Sequence, residues 1–593
     1  VKRALIFVAI PTQFREMIRV ARLLRGSGRF EPLVLFSAAY FNWERDAEIC
    51  QKERIETDEI FADSFRRKWI LGLGEGEGTP GAAAISAEVT TTPAAGTSSR
   101  PARIRPTEKI PRFARPAIQQ TWRWIYRRYW AFRLRLSAPL GDIWWSSVVL
   151  AQVLRVVIFG KNLGSVAAPQ LESPGERTTS TTSVGRYLVA AFGELWERGV
   201  LPSVIREKKN LYQALPNFFR EEHIALLVLP EDNYFLDTQF FVHAAHQAGT
   251  KSVVVPFTVV NSLEWAETFL GRLAHSVQWP PNFLMAKAFP RWVYKHKGQK
   301  MIMPAIQILM MEYLGLTPAK PWLINSGFAD ALAAESPFMV DYYREAGIDD
   351  RRVVLTGSLA DDELHSQIAL AAESREALYA RLGLPPNRPM ILYSVPPNQL
   401  IGDGRVQSEF SSYETLIKSM LEVACACKGW NVVLSLHPRI NHGDVVYVGS
   451  YPSRIALEDI ASLIPLCDLF IASASATIRL AAAAGKPTVN YDVYRYQYSD
   501  FLSIPGVMTM DNIGAFKNAV ESITGNPAYR EELAAEQRKF AKGKALVDGR
   551  SGDRLLALFD RLTDGAIPNR AGDFGENVSA VNHATGPGMP MKA

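Results

Sequence analysis

Short, uninterrupted apolar runs, each closed by a turn residue and followed by a helical pattern, constrain this chain more than any other feature. Residues 4–10, ALIFVAI, are apolar throughout, and Pro11 and Thr12 break the run. Phe14, Ile18, Ala21 and Leu24 then recur near helical spacing until Gly26 and Gly28 stop the pattern. PLVLFS at 32–37 completes a strand–helix–strand unit. Strands that are apolar on both faces, rather than alternating, belong in a parallel sheet covered by helices on both sides. The expected class is therefore α/β, built on Rossmann-like domains. No G-x-G-x-x-G follows the first strand, so the dinucleotide fingerprint is missing.

The pattern then stops for about a hundred residues. Residues 72–107 and 165–185 are rich in Gly, Ala, Thr, Ser and Pro, a composition that cannot bury enough apolar surface to order. Between them lies RFARPAIQQTWRWIYRRYWAFRLRL (112–136), followed by IWWSSVVLAQVLRVVIFG (143–160). From 101 to 136 there are ten Lys/Arg against one acid, Glu108. The α/β pattern resumes at 186. Strands are expected at 223–232, 251–257, 320–326 and 351–358, with a helix at 240–250; residues 263–316 are aromatic, basic and helical in part. After a linker at 372–388, strands are expected at 389–395, 431–438, 468–473 and 487–491. Helices are expected at 413–428, 456–466, 476–485, 511–523 and 527–561. The division that follows has an N-terminal Rossmann-like domain (1–71 and 186–371) carrying an insertion (72–185). A C-terminal Rossmann-like domain (372–562) and a polar tail (563–593) follow it. Two such halves place a binding site in the cleft between them.

Length and charge exclude some alternatives. A chain of 593 residues holds two or three domains. Its four cysteines are too few and too scattered for a disulfide framework, and Cys425 and Cys427, two apart on a helix, point to different faces. Val1-Lys2-Arg3 runs straight into a buried-strand pattern without a signal-peptide layout, so a cytoplasmic setting is expected. The net charge of +6 is small, and no nucleic-acid-binding module surrounds the basic stretch, so no nucleic-acid partner is expected.

Two segments carry candidate chemistry. In DLFIASASATIRLAAAAGKPTVNY (468–491) a strand ends at Ala472, and the small polar loop Ser473-Ala474-Ser475-Ala476-Thr477 opens a helix that Gly485 and Pro487 end. Small residues let backbone approach a ligand, and hydroxyls with free N–H groups at such a turn favour phosphate; an ordinary Ser N-cap explains the same residues. In VVLSLHPR (432–439), His437 sits just past the carboxyl end of a buried strand, where open α/β sheets bind ligands. Arg439 adds a fixed cation there.

These two segments together resemble a superfamily of GT-B enzymes of bacterial surface-polysaccharide synthesis. Its members include CDP-glycerol polymerases, sialyl- and Kdo-transferases and UDP-GlcNAc 2-epimerases. Such proteins carry a His-Pro after a C-domain strand and a Ser-rich strand–helix turn before a Gly-Lys-Pro. FADALAAESPFMVDYYREAGIDDRRVVLTGSLADDEL (328–364) also looks like the epimerase passage leading to the domain linker. The resemblance covers roughly 223–262 and 320–525. It implies a GT-B fold with two domains facing a cleft and a nucleotide-sugar donor on the C-terminal half. By it, His437 contacts donor phosphate or ribose, Ser473, Ser475 and Thr477 hold the phosphate, and Arg479 assists. Glu458 sits in the helix before the Ser turn, where base or ribose binds. Arg405 lies in the loop PPNQLIGDGR (396–405), which can wrap a pyrophosphate. The epimerase motif GGxQEE is absent; the turn here reads SASATIR.

An inverting transfer needs a base from the N-terminal domain. The candidates are Glu231 and Asp232 at one strand end, Glu264 and Glu267 past the next, and His243 and His246. The two histidines share a helix face, but no third metal ligand is evident, and no D-x-D motif stands out; neither metal nor cofactor is expected. The leading reading is a glycosyltransferase, or related glycan-building transferase, acting on a glycan or lipid-linked acceptor. The alternatives are an NDP-sugar 2-epimerase-like enzyme and a non-catalytic GT-B scaffold of a membrane-bound assembly complex. Trp122, Trp124, Tyr126, Tyr129 and Trp130 alternate with Arg123, Arg127 and Arg128, so residues 112–160 are expected to dock peripherally on an anionic membrane at its inner face. Arg155 inside 143–159 argues for an interfacial or re-entrant helix rather than a crossing, and packing of these aromatics on the first domain as an inserted helical pair is the alternative.

Overall fold

The computed structural model describes residues 1–37, 43–59, 147, 149–154, 157, 182–199, 201, 203–232, 237–257, 266, 269–400, 408–437, 440, 442–497 and 501–564. Two wholly parallel sheets organise them. The first contains β1 (Lys2–Val8), β2 (Phe30–Phe36), β3 (Glu56–Glu59), β4 (Ile224–Leu229), β5 (Lys251–Val254), β8 (Ala331–Ala334) and β9 (Val353–Leu355), in the order β3-β2-β1-β4-β5-β8-β9. The second contains β10 (Met390–Val395), β11 (Asn431–Leu436), β12 (Ser453–Ala456), β13 (Leu469–Ala472), β14 (Thr488–Tyr491) and β15 (Val507–Met510), in the order β12-β11-β10-β13-β14-β15. Between β5 and β8 the chain forms a small antiparallel hairpin, β6 (Tyr294–His296) and β7 (Gln299–Met301).

The apolar runs explain these sheets. Leu5 and Phe7 of β1 enter one core and Ala4, Ile6 and Val8 the other, all fully buried. Ile391, Tyr393 and Val395 of β10 are divided in the same way from Met390 and Leu392. A strand buried on both faces has no polar side to show, so its sequence reads as continuous rather than alternating. Both sheets have the doubly wound order, in which the chain reverses direction across the sheet once, between β1 and β4 and between β10 and β13. Ligands of open α/β sheets bind outside the carboxyl ends of the strands at that switch point. This is an α/β protein with two Rossmann-like domains, consistent with the GT-B arrangement.

Several local expectations are corrected. The strand expected at 320–326 is a run of turns in which Trp322 is buried and donates to the Trp292 carbonyl at 2.7 Å. The strand is instead Ala331–Ala334, whose alanines have little β propensity but are buried on all sides. The linker expected at 372–388 begins with the helix Ala371–Leu382. The helix expected at 456–466 is shorter, because β12 precedes it; Glu458 therefore lies in the turn before the helix Ile460–Leu463, whose cap is Asp459. The helix Ser551–Thr563 returns to the first sheet: Leu555, Leu558, Phe559 and Leu562 pack with Ile6, Val8 and Phe30. Its apolar spacing specifies an amphipathic helix, not which sheet receives it. Among the described residues no helix is long and apolar enough to cross a membrane.

Candidate functional site

The first switch point is closed by Gln13, in the helix that follows β1. Its Oε1 accepts from the amides of Ala9 and Ile10 at 2.8 and 3.2 Å, and its Nε2 donates to Glu231 Oε1 at 2.6 Å. Gln13 thereby ties the exit of β1 to the exit of β4, and Glu231 is buried beside it. Asp232, one residue on, is enclosed. Its Oδ1 accepts from Gln239 Nε2 at 2.5 Å and its Oδ2 from the Ala329 amide at 2.9 Å. Arg352 Nη2 lies 3.7 Å from Oδ2, and Arg352 Nη1 donates to the Gly327 carbonyl at 2.8 Å. A Cβ on Gly327 would stand 2.2 Å from Asp232 Oδ1, so only glycine lets this loop pack so closely. Burial raises the Asp232 pKa, with Arg352 and the loop amides opposing it.

Asp232 thus serves the loop 325–329 in this arrangement, with both oxygens committed and no side-chain surface exposed. Asp232→Ala is expected to destabilise the protein by about 3–5 kcal/mol, because Arg352 would lose its buried partner. Denaturant unfolding reads the loss; a midpoint within about 0.5 kcal/mol of wild type would refute the bracing role.

At the second switch point the backbone is strained. Ala474 adopts φ +44°, a left-handed conformation that costs a non-glycine residue on the order of 1 kcal/mol or more. Its amide donates to Asn490 Oδ1 at 2.8 Å, and Asn490 Nδ2 donates to Thr509 Oγ1 at 3.2 Å. The strained turn is therefore held from β14 and β15. Ser475 Oγ caps Thr477 N at 3.3 Å and lies 2.8 Å from Thr477 Oγ1. Ser473 Oγ is shielded from solvent and has no hydrogen-bond partner among the described residues. Next to this turn the exit of β10 is fixed by tyrosines: Tyr413 Oη donates to the Pro396 carbonyl at 2.6 Å and Tyr494 Oη to that of Pro397 at 2.5 Å.

Carboxyl-end residues of the two sheets meet. Arg479, in the helix after β13, stacks 4.7 Å over Phe338 and donates to Met339 Sδ at 3.0 Å, both in the helix Pro337–Glu345 after β8. Asp459, past β12, forms ion pairs with Arg15 (Nε at 3.0 Å) and Arg19 (Nη2 at 3.1 Å), both in the helix after β1. Burial raises the pKa of Asp492, past β14, against the opposing amides of Gln497 and Tyr496. Ser473, Ser475, Thr477 and Arg479 thus lie on the turn and helix that follow β13, with half-buried His437 at the exit of β11 on the same carboxyl edge of the sheet. Glu458 is paired with Arg381, and its Oε2 is shielded. Glu264, Glu267, Arg405 and Arg439 lie outside the described residues, as does most of 112–160; the described part corrects the expectation of an interfacial helix there, because Val149, Leu150 and Val153 are buried in the core of the first sheet.

His243 and His246 take separate roles. His243 stacks on Tyr212, whose Oη lies 2.9 Å from Nε2, and burial lowers its pKa to about 4. His246 pairs with Asp330 at 3.0 Å. Among the described residues no group of His, Cys, Asp or Glu is arranged to hold a metal. A surface groove lined by Val1, Lys2, Gly28, Arg29, Asp560 and Asp564 lies at the opposite, amino end of the first sheet, away from both switch points.

Glu335 is the residue that sequence reasoning missed. It stands one position past β8, at the carboxyl edge of the first sheet, with Oε1 shielded and without a partner among the described residues, and Tyr343 Oη donating to Oε2 at 3.5 Å. Burial pushes its carboxyl up to about 8; Arg479 opposes the shift, while Asp361 and Glu16 reinforce it. Asp361 is likewise pushed up, to about 7, chiefly by burial, and burial raises Glu16. The signal was present in ALAAES: an acid directly after a buried strand, as in Glu231.

This carboxyl group sets a sign for pH. All three acids bind protons more tightly folded than unfolded, so their contribution to stability is complete below their ordinary pKa, and for Asp361 and Glu335 it is lost as pH rises through 7 to 8. Thermal unfolding is expected to occur at progressively lower temperature from pH 6.5 to 8.5, and Asp361→Asn should flatten the slope. A wild-type profile that is flat or rising over that interval would contradict this.

No protein-family model and no curated protein matches the chain. Its structure is similar to that of a UDP-GlcNAc 2-epimerase from Neisseria meningitidis bound to UDP-GlcNAc, at 10% identity and a TM-score of 0.43, over 94% of this chain and 99% of that one. It is similar to the glycotransferase of kitacinnamycin at 11% identity and a TM-score of 0.42, over 94% and 98%. Similarity to the wall teichoic acid polymerase TagF, at 14% identity and a TM-score of 0.37, spans 60% of this chain and 75% of that one.

Proposed function

We propose that the chain is a glycosyltransferase, or a related glycan-building transferase, that binds a nucleotide-activated sugar in the cleft between its two sheets. The observation that carries the reading is the meeting of the carboxyl ends of the two sheets, through Arg479 on Phe338 and Met339 and through Asp459 on Arg15 and Arg19. Donor phosphate is assigned to the turn at 473–477, where the shielded Ser473 hydroxyl and those of Ser475 and Thr477 gather. His437, past the end of β11, and Arg439 are proposed as further donor ligands. Preorganised hydroxyls and the Arg479 cation would stabilise the leaving nucleotide. Glu335, rather than the enclosed Asp232, is assigned as the base toward the acceptor; Glu231, held by Gln13, stays the alternative from the sequence. A glycan or lipid-linked acceptor, a place on the inner membrane face and docking through 112–160 belong to the same proposal.

The test is a panel of UDP-, CMP-, CDP- and GDP-sugars read by thermal shift, since a ligand bound only to the folded state raises the unfolding temperature. Nucleotide release that requires an acceptor supports transfer. Interconversion of free sugar nucleotides without an acceptor would instead make the protein an epimerase. Absence of binding across the panel would leave only the scaffold reading.

A further inference from the structure

The crossover between β5 and β8 has a charge pattern that the fold does not require. From 269 to 304 it contains six Lys/Arg and no Asp or Glu. Its pieces are tied to one another and to the helix Ser183–Glu197 by hydrogen bonds. Asn282 Nδ2, in the helix Pro280–Ala288, donates to the Ala274 and Ser276 carbonyls at 2.8 and 3.0 Å. Ile302 N donates to the His275 carbonyl at 2.9 Å, which joins the hairpin to the same turn. Thr182, the cap of the helix Ser183–Glu197, donates from Oγ1 to the Ala288 carbonyl at 3.1 Å.

Two features of this surface run against ordinary folding preferences. Val184, Tyr187, Leu273 and Phe283 are each at least half exposed, although their neighbours on the same elements are buried. Lys295 and Lys300 are directly opposite each other in the hairpin, and both are exposed. Like charges in a cross-strand pair are destabilising. The exposed cations Arg186 and Lys287 lie among the apolar side chains, with Lys287 Nζ 4.4 Å from the Phe283 ring.

We propose that this face docks on an anionic lipid bilayer, in addition to any contact made by 112–160. Aromatic and aliphatic side chains enter the headgroup boundary while lysines and arginines meet anionic headgroups. A dense anionic surface would also relieve the repulsion between Lys295 and Lys300. A nucleic acid or an acidic protein would match the cations but leave Val184 and Leu273 without a role, so the bilayer accounts for both features together. The inference does not depend on the donor assignment.

The test uses the full chain, co-sedimented with phosphatidylcholine vesicles with and without phosphatidylglycerol. Three proteins are compared: wild type, Tyr187→Asp/Phe283→Asp, and Lys287→Glu/Lys300→Glu. Wild type should favour the anionic vesicles, and high salt should weaken that binding. The lysine variant should lose roughly 25-fold or more in partitioning, at about fivefold per cation removed, and the aromatic variant roughly tenfold or more, through lost apolar insertion. Far-ultraviolet circular dichroism and donor thermal shift should match wild type. Double variants that pellet like wild type would overturn the proposal, as would equal binding to neutral and anionic vesicles. So would a change in oligomeric state alone, which would make the face a contact between copies.

Discussion

Glu335→Gln is expected to lower turnover by about 10²- to 10⁴-fold, the usual range for a positioned acid–base group. Donor affinity should stay within about threefold, since only the transition state uses the proton transfer. The choice of glutamine separates catalysis from structure. With its carboxyl pushed up to about 8, Glu335 is mostly protonated at neutral pH, and a neutral amide of the same shape can keep the contact with Tyr343. A bracing role would therefore survive the substitution. A base must be ionised to take the acceptor's proton, so wild-type kcat/KM should rise with pH and level off above about 8. The variant should lose that limb. A Glu335→Gln variant with wild-type turnover and an unchanged pH profile would remove Glu335 from the mechanism.

How far the sequence could lead is visible in particular residues. The continuous runs at 4–10, 223–229 and 431–436 predict parallel strands, because burial on both faces leaves its mark on every position. Ala331–Ala334 left no such mark: alanine is common in helices, and only its neighbours in the sheet make ALAA a strand. Glu335 was hidden with it, since a strand-end acid is recognised only after the strand. Asp232 shows the opposite difficulty. Its position at a strand end is that of a catalytic acid, but its neighbours Gln239, Ala329 and Arg352 come from up to about a hundred residues away in the chain. Long-range enclosure of that kind has no local signature. The Ser473–Thr477 turn was legible because small polar residues after an apolar strand are a local pattern, whereas the left-handed Ala474 was not, since glycine or asparagine usually occupies that conformation.

Ser473→Ala is expected to change stability and binding in opposite directions. In the free protein its Oγ is shielded and has no hydrogen-bond partner among the described residues, so removing it deletes a desolvated group that contributes no bond. Stability should be unchanged or rise by up to about 1 kcal/mol. If the hydroxyl meets the donor phosphate, the same substitution removes a charge-assisted hydrogen bond, worth about 1.5–3 kcal/mol, or roughly a 10- to 100-fold loss in donor affinity. Ser475→Phe should abolish donor binding outright, because the ring would fill the turn that Asn490 holds open through the Ala474 amide. His437→Ala should weaken binding without unfolding the domain, since His437 is half-buried at a strand exit rather than in the core. Calorimetry with the donor selected by the thermal-shift panel measures the affinities, and urea unfolding measures the stabilities. A buried serine kept only for packing would give Ser473→Ala unchanged affinity, and that outcome would move the phosphate away from this turn. A residue whose loss stabilises the free fold and weakens the complex is retained for the ligand, which is the trade expected where function sets the local geometry.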